Sequence, residues 1–130
     1  MKVITIREPF ATLIMKDFKR IENRSWKTNY RGKIYIHAGL SKNFKEQISG
    51  KNFEHLLKNL NFNYGKIICE AELVDCVYMS EEFIEDLKNN YYNEYLVGNY
   101  EVGRYAWILK NIKELEEKIE IKGKLGIWNY

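Results

Sequence analysis

Arg20, Glu22, Arg24 and Trp26 recur at every second residue, so an extended segment would place them on one face and Ile21, Asn23 and Ser25 on the other. Each type has a use in recognition. A guanidinium fork matches carboxylates and phosphates, a carboxylate accepts from the exocyclic amine of a base, and an indole face stacks a base for about 1–3 kcal/mol. Such a face can line a polar cleft. It can also be a solvated strand face with weak ion pairs and a tryptophan turned into the core. Lys19 stands directly before it. A desolvated lysine loses its proton more easily and becomes a base or nucleophile. A charged one holds an oxyanion or phosphate, and a cation just after a helix also has a purely structural use.

The charge balance agrees in part. The net charge is only +3, too small to mark a bulk nucleic-acid binder. Yet Lys16, Lys19, Arg20, Arg24, Lys27, Arg31 and Lys33 crowd one segment against Asp17 and Glu22 alone. Cys69 and Cys76 have odd spacing, which puts them on opposite strand faces; they read as two buried thiols in a reducing cytoplasm. With His37 and His55 they do not form a zinc pattern, and neither a metal nor a cofactor is expected. No apolar run approaches the roughly 20 residues that span a bilayer. Met1–Ile6 leads directly into charged residues, unlike a signal peptide. The expected location is the cytoplasm, with no membrane partner.

The elements that must position these residues can be outlined. Residues 1–6 read as a strand, and Pro9 as a helix start, with Phe10, Leu13, Ile14 and Phe18 as its buried stripe. Residues 20–26 read as a strand, Thr28–Gly32 as a turn and Lys33–Ala38 as a strand. Ser41 can cap a helix through Ile48 that ends at Gly50, and Phe53, Leu56, Leu57 and Leu60 suit a second amphipathic helix. Lys66–Tyr78 is the longest strand candidate, and Ser80 caps a helix with Glu81 and Glu82 at its positive end. The aromatic, Asn-rich stretch Asn89–Tyr100 has no assignment. Gly103–Lys110, Lys118–Lys122 and Lys124–Trp128 read as separate strands. On alternation Tyr105 and Trp107 share a core face, and Arg104 points the other way, within reach of a cleft. The order favours one α+β domain over residues 1–130, built on a mostly antiparallel sheet.

Arg7-Glu8-Pro9-Phe10-Ala11, followed by Lys19-Arg20-Ile21-Glu22-Asn23-Arg24-Ser25-Trp26, resembles the signature of the ASCH domain family. Tyr30-Arg31-Gly32 into Ile34–Ala38, Gly65-Lys66-Ile67-Ile68 into Glu72–Cys76, Gly103–Trp107 and Gly123–Trp128 are similar to the family in the same order. The resemblance implies a PUA-like, mixed or antiparallel β-barrel with helices flanking one cleft. It also implies RNA or a modified nucleoside as ligand. Some family members are amidohydrolases acting on N4-acetylcytidine, and ribonuclease activity is described in others.

Carried over residue by residue, Lys19 matches the catalytic lysine of the amidohydrolase branch. That branch has a nucleophilic threonine three residues later, where this chain has Glu22. Lys19 and Glu22 are thus the candidate acid–base pair of a small hydrolase, the alternative to a binding domain. The branch's glutamate has Glu72, Glu81 and Glu82 as open candidates. For ligand binding, Pro9 and Phe10 offer backbone N–H groups to an anion, and Arg24 can orient Glu22 or hold phosphate. Trp26 and Tyr30 can stack a base or simply pack, while Lys27 and Arg31 can touch phosphates or belong to a solvated turn. His37 can transfer a proton or be a hydrogen-bonded strand histidine, and Arg104 can reach the cleft.

Overall fold

The computed structural model describes residues 1–42 and 52–130. In chain order the elements are β1 (Lys2–Ile6), α1 (Phe10–Met15), β2 (Ile21–Arg24), β3 (Gly32–Ala38), a 3-10 turn (Glu54–Leu56), β4 (Lys66–Tyr78), α2 (Glu81–Asn90), α3 (Tyr92–Leu96), β5 (Tyr105–Glu120) and β6 (Ile127–Asn129). The strands form one sheet in the order β2-β5-β4-β3-β1-β6. Among the described residues, β1 and β3 run parallel and the other pairs are antiparallel.

The sheet curls. Arg24, on the edge strand β2, donates from Nη2 to the backbone oxygen of Thr5 on β1 at 2.7 Å, although β5, β4 and β3 lie between them in the sheet order. Register shifts along β4 and β5 supply local bending and twist. The expected barrel is therefore a half-barrel, whose far strands approach through side chains while β2 pairs with β5 and β6 with β1. The concave side holds the main core, including Ile4, Leu13, Ile14, Ile36, Trp107 and Leu109, all at most 2% exposed. A second cluster of Ile21, Met79, Leu87, Tyr100 and Ala106 ties α2 and the segment after α3 to the β2 edge. No helix among the described residues is long and apolar enough to cross a membrane.

Several local expectations need correction. The first helix stops at Met15, because Asp17 adopts a left-handed φ of 62° and reverses the chain. Phe18 is consequently turned out at 57% exposure, while Lys19 is turned in at 0%. β2 ends at Arg24, so Trp26 lies in a bend with Ser25 rather than continuing the strand. Phe53, Leu56, Leu57 and Leu60 pack against the main core from a short 3-10 turn, not from an amphipathic helix. The helix expected from Ser41 to Gly50 falls almost wholly on residues 43–51, outside the described residues. The two strands expected at 103–110 and 118–122 are one continuous β5. Its charged middle survives as strand because Lys110 faces Glu72, Lys113 faces Glu70 and Glu120 faces Lys66, and opposite charges across a ladder are favourable. In the stretch left unassigned, α2 extends to Asn90 and α3 follows. The cap at Ser80 is as expected, its hydroxyl accepting from the Phe83 N–H at 3.1 Å.

Candidate binding site at the seam of the sheet

Where the curled sheet brings β2 towards β1 and β6, a cavity of about 860 Å³ opens. Its walls are the end of β1 with Arg7 and Phe10, Lys19, β2 running into Ser25 and Trp26, the segment after α3, Arg104, and the loop Lys124–Gly126. The short β2 places successive side chains around this space. Arg24 Nη2 is fixed between Glu22 Oε2 at 2.8 Å and the Thr5 carbonyl, with its guanidinium carbon 6.0 Å from the Trp107 ring centre. Trp26 stands edge-to-face against Trp107 with ring centres 4.7 Å apart, and its backbone oxygen accepts from the Trp107 indole at 3.3 Å. Trp107 is core; Trp26 remains 39% exposed on the cavity wall.

Lys19 is the centre of a buried polar group. Its Nζ donates to Asn23 Oδ1 at 3.1 Å, lies 3.7 Å from Glu94 Oε2 and sits 5.8 Å from the Phe10 ring centre. Burial lowers the Lys19 pKa, and Glu94 followed by Glu22 opposes that shift. Glu94 is itself positioned by the Arg20 N–H, which donates to Oε1 at 2.6 Å. Tyr100 completes the group. Its hydroxyl is held well above the ordinary pKa by burial first and by Glu94 next, while a hydrogen bond with Asn23 acts in the other direction. Gly98 is required beside it, because a Cβ there would meet the Tyr100 ring at 2.3 Å and Asn23 Oδ1 at 2.6 Å.

A match to the ASCH domain model covers residues 4–119. The chain belongs to the ASCH domain family. It is 27% identical over 132 aligned residues to the human protein "Activating signal cointegrator 1" and 26% identical to the mouse protein of that name. The alignments cover 96% of this chain but 21% of either relative, so the domain spans about a fifth of their length. Among solved structures it resembles the ASCH protein of Zymomonas mobilis, with a TM-score of 0.57, 19% identity, and 92% and 72% of the two chains covered. A tyrosine-to-phenylalanine variant of that protein gives the same TM-score at 18% identity, covering 92% of this chain and 74% of the other. These neighbours establish the shared PUA-like fold.

Within this ASCH domain, Phe10, Lys19, Glu22, Arg24, Trp26 and Arg104 come together on the cavity wall. Pro9, Lys27, Tyr30, Arg31 and His37 do not belong to it. The helix start at Pro9 and Phe10 is served internally: the buried Glu8 carboxylate accepts from the Thr12 N–H and the Asn63 N–H, each at 2.7 Å, and from the Thr12 hydroxyl. The Tyr30 hydroxyl donates to the Lys33 carbonyl. Arg31 donates to the Thr28 and Tyr30 carbonyls and lies 3.7 Å from Asp75. Lys27 is exposed away from the wall. His37 is 1% exposed, with Nε2 donating to the Ile121 carbonyl at 2.7 Å and Nδ1 3.2 Å from the Thr5 hydroxyl. Both ring nitrogens are thus engaged within the fold.

The sequence reading missed Glu94, Asn23 and Tyr100. Glu72, Glu81 and Glu82 lie elsewhere: Glu72 faces Lys110 across the ladder, and the other two begin α2. Glu94 was hidden because no periodic signal placed Asn89–Tyr100. Arg20 faces away from the cavity, bonded to Asp17 through Nε and Nη2 at 3.1 Å each. Among the described residues, no group of three or more His, Cys, Asp or Glu side chains is disposed to hold a metal ion.

Proposed function

We propose that this ASCH domain binds a nucleobase, carried by RNA or by a modified nucleoside, in the seam cavity. One observation carries the reading: Trp26 presents an exposed indole on the wall of a cavity that also carries the hydrogen-bonding side chains Glu22, Asn23, Arg24 and Arg104, and Trp107 holds that indole in place from behind. Stacking on a fixed indole supplies sequence-tolerant affinity, and nearby polar groups select the base edge. Glu22 can accept from an exocyclic amine. Asn23, whose Oδ1 accepts from Lys19, stands beside it on the same wall. The volume of about 860 Å³ lies within the ordinary range for small-ligand sites. Cys69 and Cys76 are free thiols, in keeping with the reducing cytoplasm we assign to the protein.

The test is calorimetric titration with modified and unmodified nucleosides and short single-stranded RNA, using wild type and Trp26→Ala. Loss of stacking lowers affinity by about 5- to 150-fold. Unchanged affinity in the variant would remove Trp26 from the site and the reading with it.

A second reading, a small amidohydrolase or ribonuclease, is favoured by Lys19. This lysine is wholly buried at the cavity with its pKa lowered by desolvation, which brings the amine closer to the neutral form that acts as base or nucleophile. Glu22 is the acid–base partner in this reading, at 8% exposure. Mass-detected conversion of N4-acetylcytidine or RNA by wild type, and its loss in Lys19→Met with ligand affinity kept, establishes this activity. Conversion by both proteins, or by neither, excludes Lys19 catalysis on those substrates.

A further inference from the structure

We infer that the seam cavity takes its base together with a phosphate, so that its ligand is a nucleotide or a nucleotide unit of an RNA strand rather than a neutral nucleoside. The inference rests on the base-binding reading and adds the anion to it.

The cavity wall carries Arg7, Lys19, Arg24, Arg104 and Lys124 against the carboxylates Glu22 and Glu101. Ion pairs neutralise part of this set, among them Arg24 Nη2 with Glu22 Oε2 at 2.8 Å and Lys19 Nζ with the adjoining Glu94 Oε2 at 3.7 Å. Arg104 and Lys124 have no ion pair among the described residues; Lys124 lies over the Trp128 ring at 5.7 Å. The wall therefore keeps an excess of positive charge after its internal pairs are counted, and a low-dielectric recess concentrates the resulting field.

The unsatisfied hydrogen-bonding groups point the same way. Arg24 Nε and Arg104 Nε are buried N–H donors without a hydrogen-bond partner among the described residues. Both belong to side chains of this wall. Buried donors in native proteins are normally matched, so two guanidinium donors around one cavity call for an acceptor-rich guest. A base edge supplies one or two acceptors. A phosphate supplies several more together with the charge that Arg104 and Lys124 lack. Guanidinium groups suit phosphate because the fork donates in its plane to two oxygens.

The phosphate has two chemical sources, the terminal group of a mononucleotide or the internucleotide link of a strand. Calorimetric titrations compare the four ribonucleosides, their 5′-monophosphates, ribose 5-phosphate and a short single-stranded uridine RNA, at low and high salt. The expected result is tighter binding of a monophosphate than of its nucleoside by about 10- to 100-fold, the range of a charge-assisted hydrogen bond, weakening as salt rises. Arg104→Gln lowers monophosphate affinity and removes most of that increment, while a wild-type circular dichroism spectrum shows that the variant is folded. The exposed Lys124→Gln should reduce the increment independently. RNA binding tighter than every monophosphate assigns the site to an internucleotide phosphate; the reverse order assigns it to a terminal one, and either supports the inference. Equal affinity for nucleoside and monophosphate overturns the phosphate and leaves base binding standing. Ribose 5-phosphate binding as tightly as the nucleotides overturns base binding and leaves the anion site. No binding by any of these overturns both.

Discussion

Replacing Glu94 with glutamine should destabilise the protein through Lys19. Glutamine keeps an oxygen for the Arg20 N–H, so the change chiefly removes the negative charge 3.7 Å from a lysine that is 0% exposed. Breaking a buried pair by neutralising one partner costs about 3–5 kcal/mol. An independent ceiling follows from proton release. From its ordinary value of 10.5, Lys19 can give up its proton at about pH 7 for about 5 kcal/mol, at 1.4 kcal/mol per pH unit, so the penalty of keeping the charge cannot exceed that. Glu22 still faces Lys19 and offsets part of the loss, which places the expectation at about 3 kcal/mol, the lower end of the range for a broken buried pair.

The pH dependence has a definite sign. Folding lowers the Lys19 pKa, so between the folded value and 10.5 the unfolded chain holds a proton that the folded chain has released. The Lys19 contribution to stability therefore rises with pH in that window and is lost as pH falls through the folded value. Glu94→Gln lowers the folded value further and extends the window downward. Its deficit should be largest near neutrality and shrink as pH rises through the wild-type folded value, above which Lys19 is neutral in both folded proteins. Urea denaturation at about pH 7 and about pH 10 measures this. Lys19→Met combined with Glu94→Gln should recover part of the single variant's loss, since no buried cation is left to compensate. A deficit below about 1 kcal/mol at neutral pH, or one that does not vary with pH, refutes the account of Lys19.

Other consequences are simpler. Trp107→Ala, at a core position 1% exposed, should cost about 3–5 kcal/mol in denaturant and also loosen Trp26, visible as greater quenching of its fluorescence. Gly98→Ala should cost about 1–3 kcal/mol and weaken ligand binding together, because its Cβ collides with Tyr100 and Asn23; an unperturbed variant contradicts the packing described. Cys69 is buried, which pushes its thiol up to about 12, so alkylation of the native protein at mildly alkaline pH should label Cys76 first and reach Cys69 only on unfolding, as peptide mass mapping will show.

How much the sequence revealed depended on whether a local pattern or a tertiary accident set the position. β3, β4 and the capped start of α2 were legible because alternation and capping act within a few residues. Glu22 and Arg24 were legible from the alternation of β2, whereas the use of Asn23 and the bend after Arg24 that turns Trp26 were not. The exchange of Phe18 for Lys19 turned on the backbone conformation of Asp17, which helical spacing does not encode. β5 looked discontinuous because its middle is charged, and only the partner strand shows that those charges are matched. The same limit hid Glu94: it lies 75 residues from Lys19 in sequence, on a helix too short to display a period. His37 and Arg31 looked like chemistry because of their types, yet each is engaged by groups of the fold itself: His37 by the Ile121 carbonyl and the Thr5 hydroxyl, Arg31 by the Thr28 and Tyr30 carbonyls.

The most direct test of the central claim is a nitrogen–proton correlation titration of the labelled domain with the tightest-binding nucleotide or RNA. The Trp26 indole N–H and the backbone amides of Asn23, Gly98 and Arg104 should shift together at one affinity, with those of Lys27, Tyr30 and Arg31 unmoved. Shifts concentrated instead on the Lys27–Arg31 turn, with the Trp26 indole unchanged, would contradict the assignment of the seam cavity as the binding site.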